Sequence, residues 1–395
     1  MAIVLFWFFL ASIFCVYVGY PLLLWAGILG ARKPHDLAAS TPLLSIIVAA
    51  HNEESCIEAK IVNILASDYP AERLEILIGS DGSSDRTEEI VFRYSSEGVG
   101  LISFPQQLGK SAMQNGLVAT ASGSILVFTD ADCFFAPDAL GLLVASFADR
   151  HVGLVTARPL YTNREATCIT RNESAYLRYE TWLREQESKR GILAMASGSL
   201  FAMRRSLWHP LERDLGDDFV LPLRVATAGL RNVLEPRAVA VTPLTQDESG
   251  SMLRLKIRII SKDLRALLLY RTLLNPLRHG WLAIGLWLHK LLRWLVPYFL
   301  LVLLAANLFL ANRAFFRVIL IAQMLFYGIA AAGYFFRGRA ARFPFSFPMS
   351  FCLVNLAALI GTSKCLAGGK SGKWQPHRSA SASVRTPEQA GRHAD

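Results

Sequence analysis

Acid is scarce in this chain, and so is cysteine. Asp and Glu number 31 against 41 Lys and Arg in 395 residues, leaving a formal net charge of +10. The six cysteines are scattered, Cys15 among them inside an apolar run, and none forms a pair at metal-clamp spacing. That excludes a structural zinc site and a disulfide framework, and it fits a reducing compartment. Charge of either sign is missing from residues 1–31, MAIVLFWFFLASIFCVYVGYPLLLWAGILGA, which Arg32 and Lys33 follow at once. This run exceeds the roughly 20 apolar residues that cross a bilayer. It also lacks the basic start and small-residue cleavage site of a signal peptide, so a retained anchor is expected.

Three further stretches are apolar: 296–310 (extended by Leu295), 318–336 and, more weakly, 344–361. Basic residues favour the cytoplasmic ends of spans. Arg32 and Lys33 after the anchor, and RGRAAR at 337–342, therefore put the intervening polar segment inside and the amino terminus outside. The last stretch contains Pro344 and Pro348 and would carry a basic tail outward if it crossed, so it is expected to lie in the interface or re-enter. The positive residues concentrate after position 250 beside apolar sequence, which suits an anionic membrane face and not nucleic acid. The resulting plan is an anchor (1–31), a cytoplasmic domain (40–250), amphipathic interfacial helices (251–294), a transmembrane or re-entrant region (295–366) and a basic, mostly disordered tail (367–395).

The middle segment reads as α/β. PLLSIIVAA (42–50) is a continuous apolar run of the kind a buried parallel strand needs, and the helical pattern CIEAKIVNILAS follows it. LEILIGS (74–80), 100–104 and 124–129 repeat the alternation, with helical RTEEIVFRYS and GKSAMQNGLVAT between them. In such sheets, ligands gather at the carboxyl ends of the strands. His51, Glu53, Asp81, Asp85, Lys110, Asp130 and Asp132 all fall at or just beyond such ends.

Asp130 and Asp132, two apart behind the run SILVFT, are oxygen donors suited to a hard divalent cation shared with substrate phosphates; turn formation or helix capping is the alternative. Asp81 and Asp85 shape a turn or bind a ligand. Lys110, after Gly109 and ahead of a helix, is a phosphate partner or a solvated charge. Small residues at Ser197, Gly198 and Ser199 admit either a substrate or a tight backbone crossing. Asp217 and Asp218 precede a helix. One carboxylate suffices as a cap, and the second is available as a proton acceptor.

SMLRLKIRIISKDLRALLLY (251–270) places Arg254, Arg258, Lys262 and Arg265 on one helical stripe, with Leu255, Ile259 and Leu267 on an apolar flank. Such a helix lies along a bilayer surface. Its cations serve as an anchor, or Arg254 and Arg258 reach a substrate diphosphate. WLAIGLWLHKLLRW (281–294), interrupted by His289, Lys290 and Arg293, is expected as a second interfacial helix.

AAHNEE, SDGSSDRT, GKSAMQN, TDADC, ASGSL and GDDF occur in the order found in membrane-associated family 2 glycosyltransferases, and residues 42–245 resemble their GT-A nucleotide-sugar domain. The group includes cellulose, chitin and hyaluronan synthases and many non-processive relatives. The resemblance implies an α/β GT-A fold with a mixed, mainly parallel sheet, in a multi-pass protein of a bacterial-type inner (plasma) membrane. It implies Glu53, His51, Asp81, Asp85, Lys110 and Asp130 around a UDP-sugar, with Asp130 and Asp132 holding Mn²⁺ or Mg²⁺. Asp218 becomes the catalytic base and Asp217 its companion, while Ser197, Gly198 and Ser199 form the acceptor-side wall. Arg254 and Arg258 contact the diphosphate, and Trp374 and Arg378 in the tail cover the substrate. Processive synthases carry a QxxRW motif after the base. This chain has no tryptophan after the arginine and no glutamine three residues before Arg258, which favours adding one or a few sugars to a lipid or lipid-linked acceptor. A processive polysaccharide synthase and a non-catalytic membrane scaffold with a retained sugar-nucleotide fold are the competing expectations.

Overall fold

The computed structural model describes residues 1–162, 168–213, 215–243, 249–335 and 345–369. The RGRAAR run, Trp374 and Arg378 lie outside the described residues. Eight strands form one sheet in the order β3-β2-β1-β4-β7-β6-β8-β5. They are β1 (Leu44–Ala50), β2 (Leu74–Asp81), β3 (Val99–Phe104), β4 (Ile125–Asp130), β5 (Phe134–Phe135), β6 (Val152–Thr162), β7 (Leu200–Arg204) and β8 (Arg231–Pro243). The first four pair in parallel, as their continuous apolar runs predict, and β6 pairs in parallel with β8. Antiparallel β7 joins the two halves, and β5 is antiparallel to β8, so the sheet is mixed.

The period-2 alternation of a strand explains why β1 is apolar throughout. Leu44, Ile46, Val48 and Ala50 share one buried cluster with Ile57, Ile61 and Ile64 of the helix Ile57–Leu65. Ile47 and Ala49 point the other way, into a cluster with Met113 and Leu117 of the helix Lys110–Thr120. Parallel register then aligns strand ends: Ala49 lies opposite Asp130 and Ala50 opposite Ser80. His51, Asp81 and Asp130 therefore emerge along one edge.

Among the described residues four helices are long and apolar enough to cross a membrane: Ala2–Trp25, Trp281–Phe309, Ala314–Phe335 and Ser346–Leu366. Two boundaries differ from expectation. Residues 281–294 do not form a separate interfacial helix but run unbroken into the second span. Their polar groups are buried against the helix Cys168–Lys189 of the α/β domain. His289 Nδ1 meets Glu187 Oε1 at 2.6 Å and its Nε2 meets Glu180 Oε1 at 3.0 Å, while Arg293 Nη1 donates to Glu180 Oε2 at 2.9 Å. The Tyr20 hydroxyl, from the first span, also donates to Glu187. Burial opposes ionisation of Glu180, yet His289 and Arg293 hold its carboxyl well below the ordinary range. In the fourth stretch Pro344 lies outside the described residues, and Pro348 does not interrupt the helix. Pro348 sits in the opening turn of the helix Ser346–Leu366, where little backbone hydrogen bonding is lost.

The expected surface helix spans Ser249–Leu269. Of its predicted apolar flank only Leu267 is buried; Ile259 is 44% exposed. The buried row is Ile260, Asp263, Leu264 and Leu267, at helical spacings of 3, 4 and 7. This row packs on the domain and on the last span, where glycine permits close approach: a Cβ at Gly361 would fall 3.0 Å from the Ile257 carbonyl oxygen.

Candidate active site

The turn after β1 is built on hydrogen bonds to the turn after β2. Asn52 takes a left-handed φ of 57°, a conformation Asn tolerates. Its Oδ1 accepts from the Ser84 amide at 2.7 Å, and its own amide donates to Ser83 Oγ at 3.0 Å. His51 Nδ1 donates to the Asp81 carbonyl at 2.7 Å, and the Glu53 amide donates to Thr87 Oγ1 at 2.8 Å. Asp85 Oδ1 accepts from the Thr87 amide and hydroxyl, and its Oδ2 from the Glu54 amide, so its carboxylate ties the two turns together.

Asp81 is fully buried. Its carboxylate accepts from the Leu108 amide at 2.7 Å and the Gly109 amide at 3.0 Å. Gly109 has a φ of 93°, which other residues adopt only with strain. Together these contacts aim the next residue, Lys110, across the strand ends. Its Nζ lies 2.9 Å from Asp130 Oδ1 and 3.2 Å from Asp217 Oδ2. One ammonium thus links the acid pair after β4 to the acid pair that opens the helix Asp217–Thr227, and two motifs 87 residues apart in sequence face a single cleft.

The two pairs are electrostatically unlike. Burial, then the carboxylates of Asp130 and Glu53, push Asp132 up to about 7. Crowded oxygen donors of this kind favour a divalent cation. Among the described residues no group of three His, Cys, Asp or Glu side chains is gathered to hold a metal alone; a cation here would take its remaining ligands from substrate and water, as Mg²⁺ and Mn²⁺ sites shared with phosphates do. On that count Asp130 and Asp132 fit. Asp217 is held low despite burial by Lys110 and by Gln114, whose Nε2 donates to its Oδ2 at 2.6 Å. Its neighbour Asp218 is pushed up to about 6 by burial and then by the Asp217 charge. A carboxyl poised near the working pH is suited to accept a proton.

Ser197, Gly198 and Ser199 lie against Asp218. A Cβ at Gly198 would sit 3.5 Å from Asp218 Oδ2, so the missing side chain leaves the carboxylate accessible. Ser197 and Ser199 share a 2.7 Å hydroxyl contact, and the Ser197 amide donates to Thr156 Oγ1 at 2.8 Å. Arg258 is half-buried and Arg254 exposed; neither has an ion pair among the described residues. Burial lowers the pKa of Arg258, as expected of a desolvated cation without a counter-charge.

Two residues not singled out from sequence belong to this region. Lys60 is fully buried beneath the acid pair, donating to Thr129 Oγ1 at 2.8 Å and to the Cys133 carbonyl at 2.5 Å. It occupies the row Ile57, Lys60, Ile61, Ile64, an apolar face carrying one lysine. Asp263 is the other, on the buried row of the surface helix. An open depression of about 900 Å³ lined by Ser40, Thr41, Ser124, Arg204 and Arg205 lies at the opposite ends of β4 and β7, away from the carboxylates.

Residues 45–209 match the family described as Glycosyl transferase family 2. The beta-monoglucosyldiacylglycerol synthase of Trichormus variabilis is 29% identical over 220 residues, covering 50% of this chain and 45% of that protein. An N-acetylglucosaminyltransferase of Neorhizobium galegae is 27% identical over 257 residues, covering 60% and 58%. The chain spans about half the length of the curated relatives it matches. The mannosyltransferase PcManGT of Pyrobaculum calidifontis, solved with GDP-Man and Mn²⁺, shares the fold at a TM-score of 0.69 and 23% identity, over 92% of this chain and 99% of that one.

Proposed function

We propose, from the match of residues 45–209 to Glycosyl transferase family 2, that the chain transfers a hexose from a UDP-sugar to a hydroxyl of a membrane lipid, inverting the anomeric carbon, at the cytoplasmic face of a bacterial-type inner membrane. The observation that carries this reading is the Lys110 bridge, which brings Asp130 and Asp217 to opposite sides of one ammonium. A nucleotide-sugar diphosphate needs an oxygen-rich cation site and a cation beside the leaving group, and the sugar needs a base on its far side. All three are present at this cleft.

In this mechanism Asp130 and Asp132 hold Mn²⁺ or Mg²⁺, which when bound would neutralise charge developing on the leaving diphosphate. Lys110 supplies further positive charge on that side, and Arg258 and Arg254 of the surface helix are assigned the same role. Ser197, Gly198 and Ser199 wall the acceptor side. Asp218 takes the proton from the attacking hydroxyl as the new bond forms, while Asp217, kept ionised by Lys110, holds the proton affinity of Asp218 high. Attack opposite the leaving group converts an α-linked donor into a β-linked product without a covalent enzyme intermediate. The His51–Glu53 and Asp81–Asp85 turns form the rim for the nucleotide.

A lipid acceptor follows from the attachment of the domain: the helix Cys168–Lys189 is bound through Glu180 and Glu187 to two apolar helices. The naming of one relative as a diacylglycerol glucosyltransferase supports it. Non-processive addition accords with the absence of a QxxRW motif. The test is a UDP-sugar screen on the full chain in native lipid extract, read by mass spectrometry of the lipid fraction. One-sugar lipid products are expected. Long polymer would establish a synthase instead, and absence of both transfer and Mn²⁺-dependent UDP binding would leave a scaffold.

A further inference from the structure

Asp263 is 8% exposed, yet among the described residues no hydrogen bond or ion pair reaches its carboxylate. A buried acid without a partner is costly unless something else completes it. Its surroundings identify the direction. A Cβ built on Gly216 would lie 2.9 Å from Asp218 Oδ1 and 3.9 Å from Asp263 Oδ1, so both carboxylates approach the same side of this glycine. Lys290 is the strongest opposing charge on Asp263, but among the described residues no cation reaches ion-pair distance. Lys290 has its ammonium over the Phe219 ring at 5.3 Å and the Trp294 ring at 6.0 Å, and Arg184 is 3.6 Å from Glu180. Asp263 arrives from the membrane side, because its helix packs along the span Ser346–Leu366.

We propose that Asp263 is a second acceptor-binding carboxylate, accepting a hydrogen bond from a hydroxyl next to the one that Asp218 deprotonates, so that the acceptor is a lipid with an uncharged polyol head group and not a lipid phosphate. This rests on the transferase reading above. A polyol offers O–H donors to both acids, and a donor to an ionised acid makes a strong bond. A phosphate brings only acceptors and a like charge to both acids. Burial, opposed by Lys290 and reinforced by the Asp218 charge, pushes Asp263 up to about 7, with Arg184 and Lys262 also facing it; such an acid gains from a hydroxyl partner in either protonation state.

The experiment uses the full chain in nanodiscs with Mn²⁺, a panel of UDP-hexoses, and three acceptors: diacylglycerol, monohexosyl diacylglycerol and a polyprenyl phosphate. Wild type is expected to glycosylate monohexosyl diacylglycerol, the one of the three with adjacent hydroxyls, at least tenfold faster than diacylglycerol, which has a single hydroxyl, or the phosphate. Asp263→Asn is expected to raise the KM for the monohexosyl lipid about tenfold or more, with kcat reduced less than threefold and Mn²⁺-dependent UDP binding at the wild-type level. Preference for diacylglycerol or for polyprenyl phosphate overturns the proposal, as does an Asp263→Asn KM equal to wild type. Loss of UDP binding in that variant also overturns it, by placing Asp263 on the donor side or in the framework. Failure of wild type to use any lipid removes the transferase reading itself, a result distinct from an unaltered KM in the variant.

Discussion

Transfer should depend on pH through Asp218, and the dependence should move when Asp217 loses its charge. Its carboxyl rises from 3.8 to about 6, roughly two units, which at about 1.4 kcal/mol per unit is on the order of 3 kcal/mol against the anion. The base form is then the majority above pH 6 and falls about tenfold per unit well below it. With saturating donor and metal, kcat/KM for the lipid should climb with slope one below about pH 6 and level off above. Asp217 is the largest contributor after burial, but Lys110 at 3.2 Å offsets part of its charge. A unit charge about 6 Å away at an effective dielectric near 20 is worth roughly 3 kcal/mol unscreened; halved or more by Lys110, it leaves a shift of about one unit. Asp217→Asn should therefore slide the acid limb down by about one pH unit. Asp132 also titrates near 7, and the two are separable: a limb set by Asp132 moves to lower pH as Mn²⁺ is raised, whereas one set by Asp218 stays fixed once metal saturates. A profile flat from pH 5 to 8 with chemistry rate-limiting, or an acid limb that moves upward in Asp217→Asn, refutes the assignment of Asp218.

Asp218→Asn should keep Mn²⁺-dependent UDP binding and lose transfer by about a hundredfold or more, the usual range for a general base; retained transfer contradicts that role. Asp132→Ala should weaken UDP binding in Mn²⁺ far more than in EDTA, measured by calorimetry, and equal losses in both would count against metal coordination. Glu180→Ala leaves Arg293 buried without its counter-charge and His289 with Glu187 alone, a loss of about 3–5 kcal/mol, visible as a lowered thermal midpoint in detergent. Because the Glu180 pKa is depressed when folded, its stabilisation is present above the unfolded value near 4.5 and disappears as pH falls through the folded one; the variant and wild type should converge in acid. Arg258→Ala should reduce turnover while the protein still pellets with membranes, and wild-type turnover would assign this cation to lipid alone.

The sheet's first half was legible because burial on both faces makes β1, β2 and β4 uninterrupted apolar runs, and because acids directly behind such runs must sit at strand ends. The link between acid pairs was not legible. It depends on Lys110 crossing from one strand end to the start of the helix Asp217–Thr227, a contact that local periodicity cannot encode. The segment 281–294 reads differently in sequence for a related reason: His289 and Arg293 look like surface residues until Glu187 and Glu180, 102 and 113 residues from the groups they meet, are placed against them. Asp263 was readable and overlooked. Its spacing from Ile260, Leu264 and Leu267 marks the buried row, although cations are the more abundant charge on that helix.

Those two cases bear on how the domain is held. A catalytic domain tethered only by flexible linkers would meet lipid head groups in many orientations, and each productive encounter would carry the entropy of fixing one. Here Tyr20 and Glu187 join the domain to the first span, and Glu180, His289 and Arg293 join it to the second, through buried and directional hydrogen bonds. Directional contacts between charged groups are poor sources of net stability, since desolvation offsets most of their attraction. They are effective at excluding alternative arrangements, because any rotation of the domain on the spans leaves several charges buried and unpaired at once. Fixing the domain in this way fixes the depth of the helix Asp217–Thr227 relative to the bilayer, and with it, in the proposed reaction, the height at which Asp218 would meet a lipid acceptor.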